Sequence, residues 1–321
     1  MPAKKAFLLS AGFGTRFKPQ SLYFPKPALP FLNLPQALFP AAALMSAGVE
    51  DFFYNSHHLP DKLNSALSPF FKRNSIFEKE ILDSAGGIAN AKNELFDQDN
   101  FWVANGDSLV FLNDSNVLND AYDFHIQNNA VATLIGIKKP DLNLSGLDFD
   151  SSSKFTGISK NTDSLHFIGF YIFKKEIWEH FKTGRHHIFH DVLLKSAQDK
   201  TFVFNAENRI SWYESGNEKD FLDATKQRLD DLRAYKEKSQ TYKALLKWNK
   251  NTSKNLSYFL DHKVWGCEYT STHKITDFLC VGENFQGDLS KFDNCIIGDN
   301  LTFEANQKIK NKFLVHSSQW A

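Results

Sequence analysis

The stretch Leu8-Leu9-Ser10-Ala11-Gly12-Phe13-Gly14-Thr15-Arg16-Phe17-Lys18-Pro19, with Phe24-Pro25-Lys26-Pro27 close behind it, decides how the rest of the chain is read. Lys5 to Ser10 is a short apolar run that breaks into a glycine-rich turn, the pattern by which a buried parallel strand delivers a loop to a ligand. Glycines let the backbone approach phosphate oxygens and aim several N–H groups at them, while Arg16 and Lys26 supply positive charge. A triphosphate suits this chemistry. The segment is not a Walker A loop, because no Gly-Lys-Ser/Thr follows, and Phe17 stands where a dinucleotide fingerprint needs its third glycine.

Working outward, Pro40 to Gly48 predicts a helix and Asp51 to Ser56 the next strand, which makes one βαβ unit. Phe101 to Ala104 is a third buried strand, followed at once by Asn105-Gly106-Asp107, and Val131 to Ile137 is a fourth. The alternation predicts an α/β sheet. Leu165 to Phe173 predicts another strand, Lys174 to Phe181 and Asp191 to Gln198 two helices, and residues 200 to 213 a strand ending at Trp212-Tyr213. From Lys219 to Trp248 the chain is charged, with Leu222, Leu229, Leu232, Tyr235 and Tyr242 near helical spacing. This divides the chain into 1–225, a helical connector 226–250, and a β-rich segment 251–321. In that segment Leu279-Cys280-Val281-Gly282-Glu283-Asn284 and Cys295-Ile296-Ile297-Gly298-Asp299-Asn300 match at a spacing of 16 residues. The match predicts coils of a left-handed β-helix-like kind, with ordinary β-hairpins as the alternative.

At about 150 residues per domain, 321 residues make one large domain or two ordinary ones. The 37 Lys and Arg balance the 37 Asp and Glu, so no general field exists to hold nucleic acid or an anionic membrane, and neither is expected as a partner. The 31 Phe residues predict a phenylalanine-packed core. Cys267, Cys280 and Cys295 have no spacing for a disulfide framework or a zinc site, which fits a reducing cytoplasm. Gly12, Gly14, Arg16 and Lys18 interrupt the first apolar run too soon for a secretory signal. No apolar run approaches the roughly 18 residues of a membrane span.

The run from Leu9 to Pro30 resembles the signature of sugar-1-phosphate nucleotidyltransferases, L-A-A-G-x-G-T-R-L-x-P-L-T followed by P-K-P-L-x-P. Further blocks fall in the family's order over residues 5 to 225. Leu82-Asp83-Ser84-Ala85-Gly86-Gly87-Ile88 resembles the base-reading loop, and Val103-Ala104-Asn105-Gly106-Asp107 the metal strand. Phe167 to Phe173 resembles the sugar-side strand, and Trp212-Tyr213-Glu214-Ser215-Gly216-Asn217 the second metal block, usually W-x-D-x-G-T. Glu214 therefore replaces Asp, Asn217 replaces Thr, Phe17 replaces Leu, and Gln20-Ser21 replaces Leu-Thr.

The resemblance implies a Rossmann-like mixed sheet flanked by helices, the nucleotide-diphospho-sugar transferase fold, and condensation of a nucleoside triphosphate with a sugar 1-phosphate. It implies that Ala11, Gly12, Gly14, Thr15, Arg16, Gly86 and Asn105 bind the nucleotide, and that Lys26, Gly169 and Lys160 meet the sugar phosphate. Arg16, Lys26 and Asp107 would carry catalysis, with Asp107 and Glu214 as ligands of a Mg²⁺ cofactor. A solenoid-like tail favours the mannose-1-phosphate guanylyltransferase type using GTP. The loop Asp83 to Ile88 is also similar to that of N-acetylmuramate-1-phosphate uridylyltransferases, and Glu214 and Asn217 keep open a weakly catalytic nucleotide-binding regulator. A homo-oligomer is compatible with each reading. His57-His58 reads as a polar loop rather than a metal pair, and His186, His187 and His190 as a solvated or sugar-contacting loop rather than a zinc site.

Overall fold

In the computed structural model, residues 3–72, 74–138, 143–195, 197–235, 263–266, 275–304 and 308–316 are described. Cys267, Tyr242, the connector beyond Tyr235 and the side chains of Leu232 and Tyr235 lie outside that set. The first strand, β1 (Lys5–Leu9), is apolar on both faces because it sits inside the main sheet. Its Ala6 and Leu8 enter one core cluster and Phe7 the other, the two-residue alternation of a strand. After the glycine turn come the short strands β2 (Pro30–Phe31) and β3 (Leu34–Pro35), then helix α1 (Leu38–Ser46) and β4 (Asp51–Ser56), which pairs parallel with β1. Helix α2 (Pro60–Leu67) leads to β5 (Ser75–Phe77), parallel to β4.

Helices α3 (Asp83–Asn90) and α4 (Lys92–Leu95) carry the chain back, and β6 (Asn100–Asn105) joins β1 in parallel from its other side. The strand order thus reverses between β1 and β6. In open α/β sheets the crevice beyond the carboxyl ends at such a reversal is where ligands bind.

The remaining elements of this part are β7 (Leu109–Leu112), α5 (Val117–Gln127), β8 (Ala132–Lys138), β9 (Gly146–Phe149), β10 (Phe155–Ser159) and β11 (Leu165–Lys174). They continue with β12 (Thr201–Asn205), β13 (Ile210–Tyr213) and α6 (Glu218–Tyr235). Strand β11 lies antiparallel between β6 and β8, which makes the sheet mixed, and β13 pairs with β7 in a separate antiparallel ribbon. The core is rich in phenylalanine, as expected: Phe7, Phe17, Phe31, Phe39, Phe101, Phe111, Phe155 and Phe170 are all fully buried.

Details differ from the expectations. Lys174 to Phe181 holds a 3₁₀ turn over Lys175–Glu179 rather than an α-helix. The helical turn expected from Asp191 begins earlier, at Ile188, because the Asp191 carboxylate accepts the N–H of His187 and draws the turn back. Residues 200–213 form two strands, since Asn205 Oδ1 accepts the N–H of Glu207 and fixes a turn between them. Helix α6 crosses position 225 unbroken, with Phe221, Leu222, Ala224 and Leu229 in the large core.

The matched words of the C-terminal segment stack in parallel. Strands β14 (Val264–Trp265), β15 (Leu279–Val281), β16 (Phe292–Ile297) and β17 (Ile309–Leu314) form one sheet in which Leu279 faces Cys295 and Cys280 faces Ile296. Parallel neighbours cannot be joined by tight turns, so the hairpin alternative is excluded. Leu279, Val281, Cys295 and Ile297 form an inner core, while Trp265, Cys280, Ile296 and Phe313 on the other face join the core beneath the glycine turn.

Candidate active site

Beyond the ends of β1 and β6 lies a cleft of about 300 Å³ lined by Ala11, Gly12, Gly14, Lys26, Asn105 and Asp107, among others. The loop that borders it is held open from below, since the Ser10 N–H donates to Asn55 Oδ1. Gly14 sits at φ +60°, a left-handed conformation that costs glycine little, and a Cβ there would approach Lys26 Cβ at 3.3 Å. Among the described residues, no backbone carbonyl takes the N–H groups of Ala11, Gly12 or Phe13. Ala11 and Gly12 line the cleft, where anionic oxygens would satisfy such donors. Thr15 and Arg16 follow, exposed, on a 3₁₀ turn outside the cleft proper.

Lys26 is nearly buried, and its Nζ pairs with Asp107 Oδ2 at 2.7 Å. Gly106 permits this approach of the two segments: its N–H donates to Leu9 O, and a Cβ would stand 2.3 Å from Ser10 Oγ. Gly169 supports the same turn from β11. At φ +86°, its added Cβ would meet Ser108 Oγ at 2.4 Å and Asn105 Nδ2 at 2.9 Å, so it buttresses the turn from beneath.

The pairing of β7 with β13 explains how the two acidic blocks meet. Leu109 faces Tyr213, and extending that register by two residues sets Ser215 opposite Asp107. Ser215 Oγ accordingly donates to Asp107 O at 3.2 Å. Gln36, fully buried, bridges both: its Nε2 donates to Asp107 O at 2.8 Å and to Ser215 Oγ at 2.7 Å. The orientation of this amide follows from Asp107 O, which can only accept. Glu214 is half-buried, and its extra methylene lets Oε1 fold back onto the Ser215 N–H. Gly216 lies between it and Arg16: a Cβ there would meet Glu214 Oε1 at 2.8 Å and Arg16 Nη1 at 3.3 Å.

Among the described residues, no group of three or more His, Cys, Asp or Glu side chains could hold a metal ion. Two carboxylates at Asp107 and Glu214 nevertheless fit an ion that takes one or two protein carboxylates and completes its shell with substrate phosphates and water, the habit of Mg²⁺.

The far wall comes from β5 and α3. Glu78 lines the cleft and accepts from Asn55 Nδ2 and from the Leu82 N–H; burial raises its pKa. Gly86 is not in the wall. It allows helix α3 to touch the 184–187 loop, where an added Cβ would stand 2.4 Å from Gly184 O. That loop is pinned to α3 by the Ser84 Oγ that accepts the Ile188 N–H and by the Arg185–Asp83 ion pair, and it brings His187 to the cleft. Burial and the neighbouring His190 hold the His187 pKa below the usual value. His57 and His58 instead bond to Glu78 O and Ser21 O and pack against Phe13. Lys160, exposed at the end of edge strand β10, does not reach the cleft. Gln36 and Glu78 escaped the sequence reading, because no local motif marks either; His187 falls in the loop read as solvated or sugar-contacting, and the structure sets it in the cleft wall.

Residues 5–231 match the family model described as nucleotidyl transferase. The chain is 28% identical over 246 residues to a mannose-1-phosphate guanyltransferase of Schizosaccharomyces pombe, covering 72% of this chain and 66% of that protein. It is 27% identical over 252 residues to a UTP–glucose-1-phosphate uridylyltransferase of Synechocystis, covering 68% and 62%. The chain thus spans just under two thirds of the length of these relatives. Among solved structures, HddC from Yersinia pseudotuberculosis, also seen in complex with GMP-PN, shares the fold at a TM-score of 0.58 and 22% identity, covering 71% of this chain and 100% of that one.

Proposed function

The chain belongs to the nucleotidyl transferase family, and on that footing we propose that it condenses a nucleoside triphosphate with a sugar 1-phosphate to give an NDP-sugar and pyrophosphate, as a mannose-1-phosphate guanylyltransferase does. The observation that carries the reading is the convergence of the open N–H groups of the glycine loop with Lys26 and Asp107 in one cleft. A phosphate oxygen of the sugar 1-phosphate attacks the α-phosphorus in line, the bond to the β-phosphate bridge breaks, and pyrophosphate takes the electron pair. No covalent enzyme intermediate is required, so the protein's work is to position two mutually repelling anions and to neutralise the departing charge.

The loop N–H groups and Arg16 hold the β- and γ-phosphates. Lys26 leaves Asp107 to bridge the α-phosphate and the incoming sugar phosphate. Asp107 and Glu214 would hold Mg²⁺, which when bound supplies charge neutralisation at the phosphates. The guanylyl assignment is supported by the names of the relatives and by the GMP-PN complex of HddC, whose fold this chain shares. The Synechocystis relative supports a uridylyltransferase as the second reading. We place the protein in the cytoplasm on the buried cysteines Cys280 and Cys295, which form no disulfide among the described residues.

Pyrophosphate release from each of the four NTPs, tested against mannose, glucose and N-acetylmuramate 1-phosphates with Mg²⁺, checks the proposal. GTP with mannose 1-phosphate should turn over fastest. Nucleotide binding without turnover on any pair would replace the enzyme by the regulatory reading.

A further inference from the structure

The C-terminal coils take no part in that chemistry, yet they grip the segment that performs it. Gln20, 1% exposed, stands in the stretch between Arg16 and Lys26, and its Nε2 donates to Phe313 O on β17 at 2.9 Å, across 293 residues. The Phe313 N–H in turn donates to Glu218 Oε1 at 2.8 Å, at the start of α6 and four residues beyond Glu214. The Phe313 ring stands edge-on to Phe17, the neighbour of Arg16, at 5.8 Å and stacks on Phe221 at 5.0 Å. Two other coils hold the same stretch further on: Trp265 Nε1 donates to Leu32 O at 3.2 Å and Asn33 Nδ2 to Val281 O at 2.7 Å. The fit is close, since a Cβ on Gly266 would stand 2.2 Å from Asn33 Nδ2.

We propose that the C-terminal parallel sheet is a clamp that sets the position of the phosphate-binding loop, with Gln20 as the positioning residue that couples loop to clamp. The inference rests on the reading of residues 11–16 as a triphosphate site. A loop with open N–H groups binds an anion well when its donors are already aimed, because ordering it on binding would subtract from the affinity. The apolar face of β17 and the bonds from β14 and β15 supply that order from outside the nucleotide fold. Gln20 occupies a position where the family signature has an apolar residue, so this chain has exchanged local packing for a bond to its own C-terminal coil.

The test is calorimetric titration of tripolyphosphate and, separately, mannose 1-phosphate into the full chain and into Gln20→Leu. Leucine keeps an apolar body in the site, and it also removes Gln20 Oε1, which is buried without a partner, so the melting temperature should hold. The clamp predicts tripolyphosphate binding weakened about tenfold, the scale of one lost buried contact, with mannose 1-phosphate changed by less than about twofold. Asn33→Gly serves as a second variant, because glycine keeps the φ of +63° found there while deleting the bond to Val281, and it should weaken tripolyphosphate in the same direction. Wild-type tripolyphosphate affinity in both folded variants overturns the clamp alone. A wild type that binds no tripolyphosphate overturns the reading of the loop and the clamp with it.

Discussion

Replacing Gln36 by leucine separates geometry from stability at the site. The amide gives two neutral hydrogen bonds, to Asp107 O and Ser215 Oγ, each worth about 1 kcal/mol net, so their loss costs about 2 kcal/mol. Against this, Gln36 Oε1 is buried with no partner, and removing it recovers about 1–3 kcal/mol of desolvation. Asp107 O keeps its bond from Ser215 Oγ at 3.2 Å. The two terms nearly cancel, and Gln36→Leu should melt within a few degrees of wild type. Beyond the β7–β13 pairing, however, the Asp107 and Glu214 blocks are then tied only by the long Ser215 Oγ bond to Asp107 O among the side-chain contacts of the described residues. Turnover should fall about tenfold, equivalent to about 1.4 kcal/mol, and the Mg²⁺ concentration for half-maximal rate should rise with it. Pyrophosphate release across a Mg²⁺ titration, with a thermal melt of the same sample, reads both. A variant with unchanged rate and unchanged Mg²⁺ dependence would refute the bridge as the element that aligns the two carboxylates.

Two further outcomes follow from the same geometry. Arg16→Ala should weaken triphosphate binding by about tenfold, the scale of a charge-assisted contact, while the NDP-sugar product, which lacks the γ-phosphate, loses less than about threefold; calorimetry with both ligands decides it. His166 rests on Trp212 with both ring nitrogens buried and unpartnered, and burial lowers its pKa to about 4. A depressed folded pKa means that stability is complete above the unfolded value near 6.5 and is lost as pH falls toward 4. His166→Phe should therefore stabilise the protein by about 1 kcal/mol more at pH 5 than at pH 8, after allowance for partial exposure, in paired urea titrations.

The strand, the turn and the charges of residues 5–27 were legible because their signal is local: an apolar run, glycines at close spacing, then Arg16 and Lys26. The parallel coils were legible for a similar reason, since words 16 residues apart must stack when each coil consumes that many residues, as the pairing of Leu279 with Cys295 bears out. What escaped was non-local. Gln36 acts on residues 71 and 179 positions away and Gln20 on one 293 away, and a glutamine among apolar neighbours carries no mark of its partner. Gly86 and Gly169 were legible as glycines that matter, but their work is close packing against Gly184 and Ser108, which needs the third dimension to see. Lys160 carried the right charge on an edge strand that does not reach the cleft.

The central claim is that Asp107, at the end of β6, brings charge and metal to a phosphoryl transfer in this cleft, and Asp107→Asn tests it most directly. The carboxylate is 39% exposed in its pair with Lys26, so its loss should cost at most about 1 kcal/mol of stability and leave the melting temperature within a few degrees. With GTP, mannose 1-phosphate and Mg²⁺, pyrophosphate release should fall about a hundredfold or more, the several kcal/mol expected from losing a metal ligand at the reacting phosphates. A folded Asp107→Asn protein that releases pyrophosphate at the wild-type rate would contradict the account.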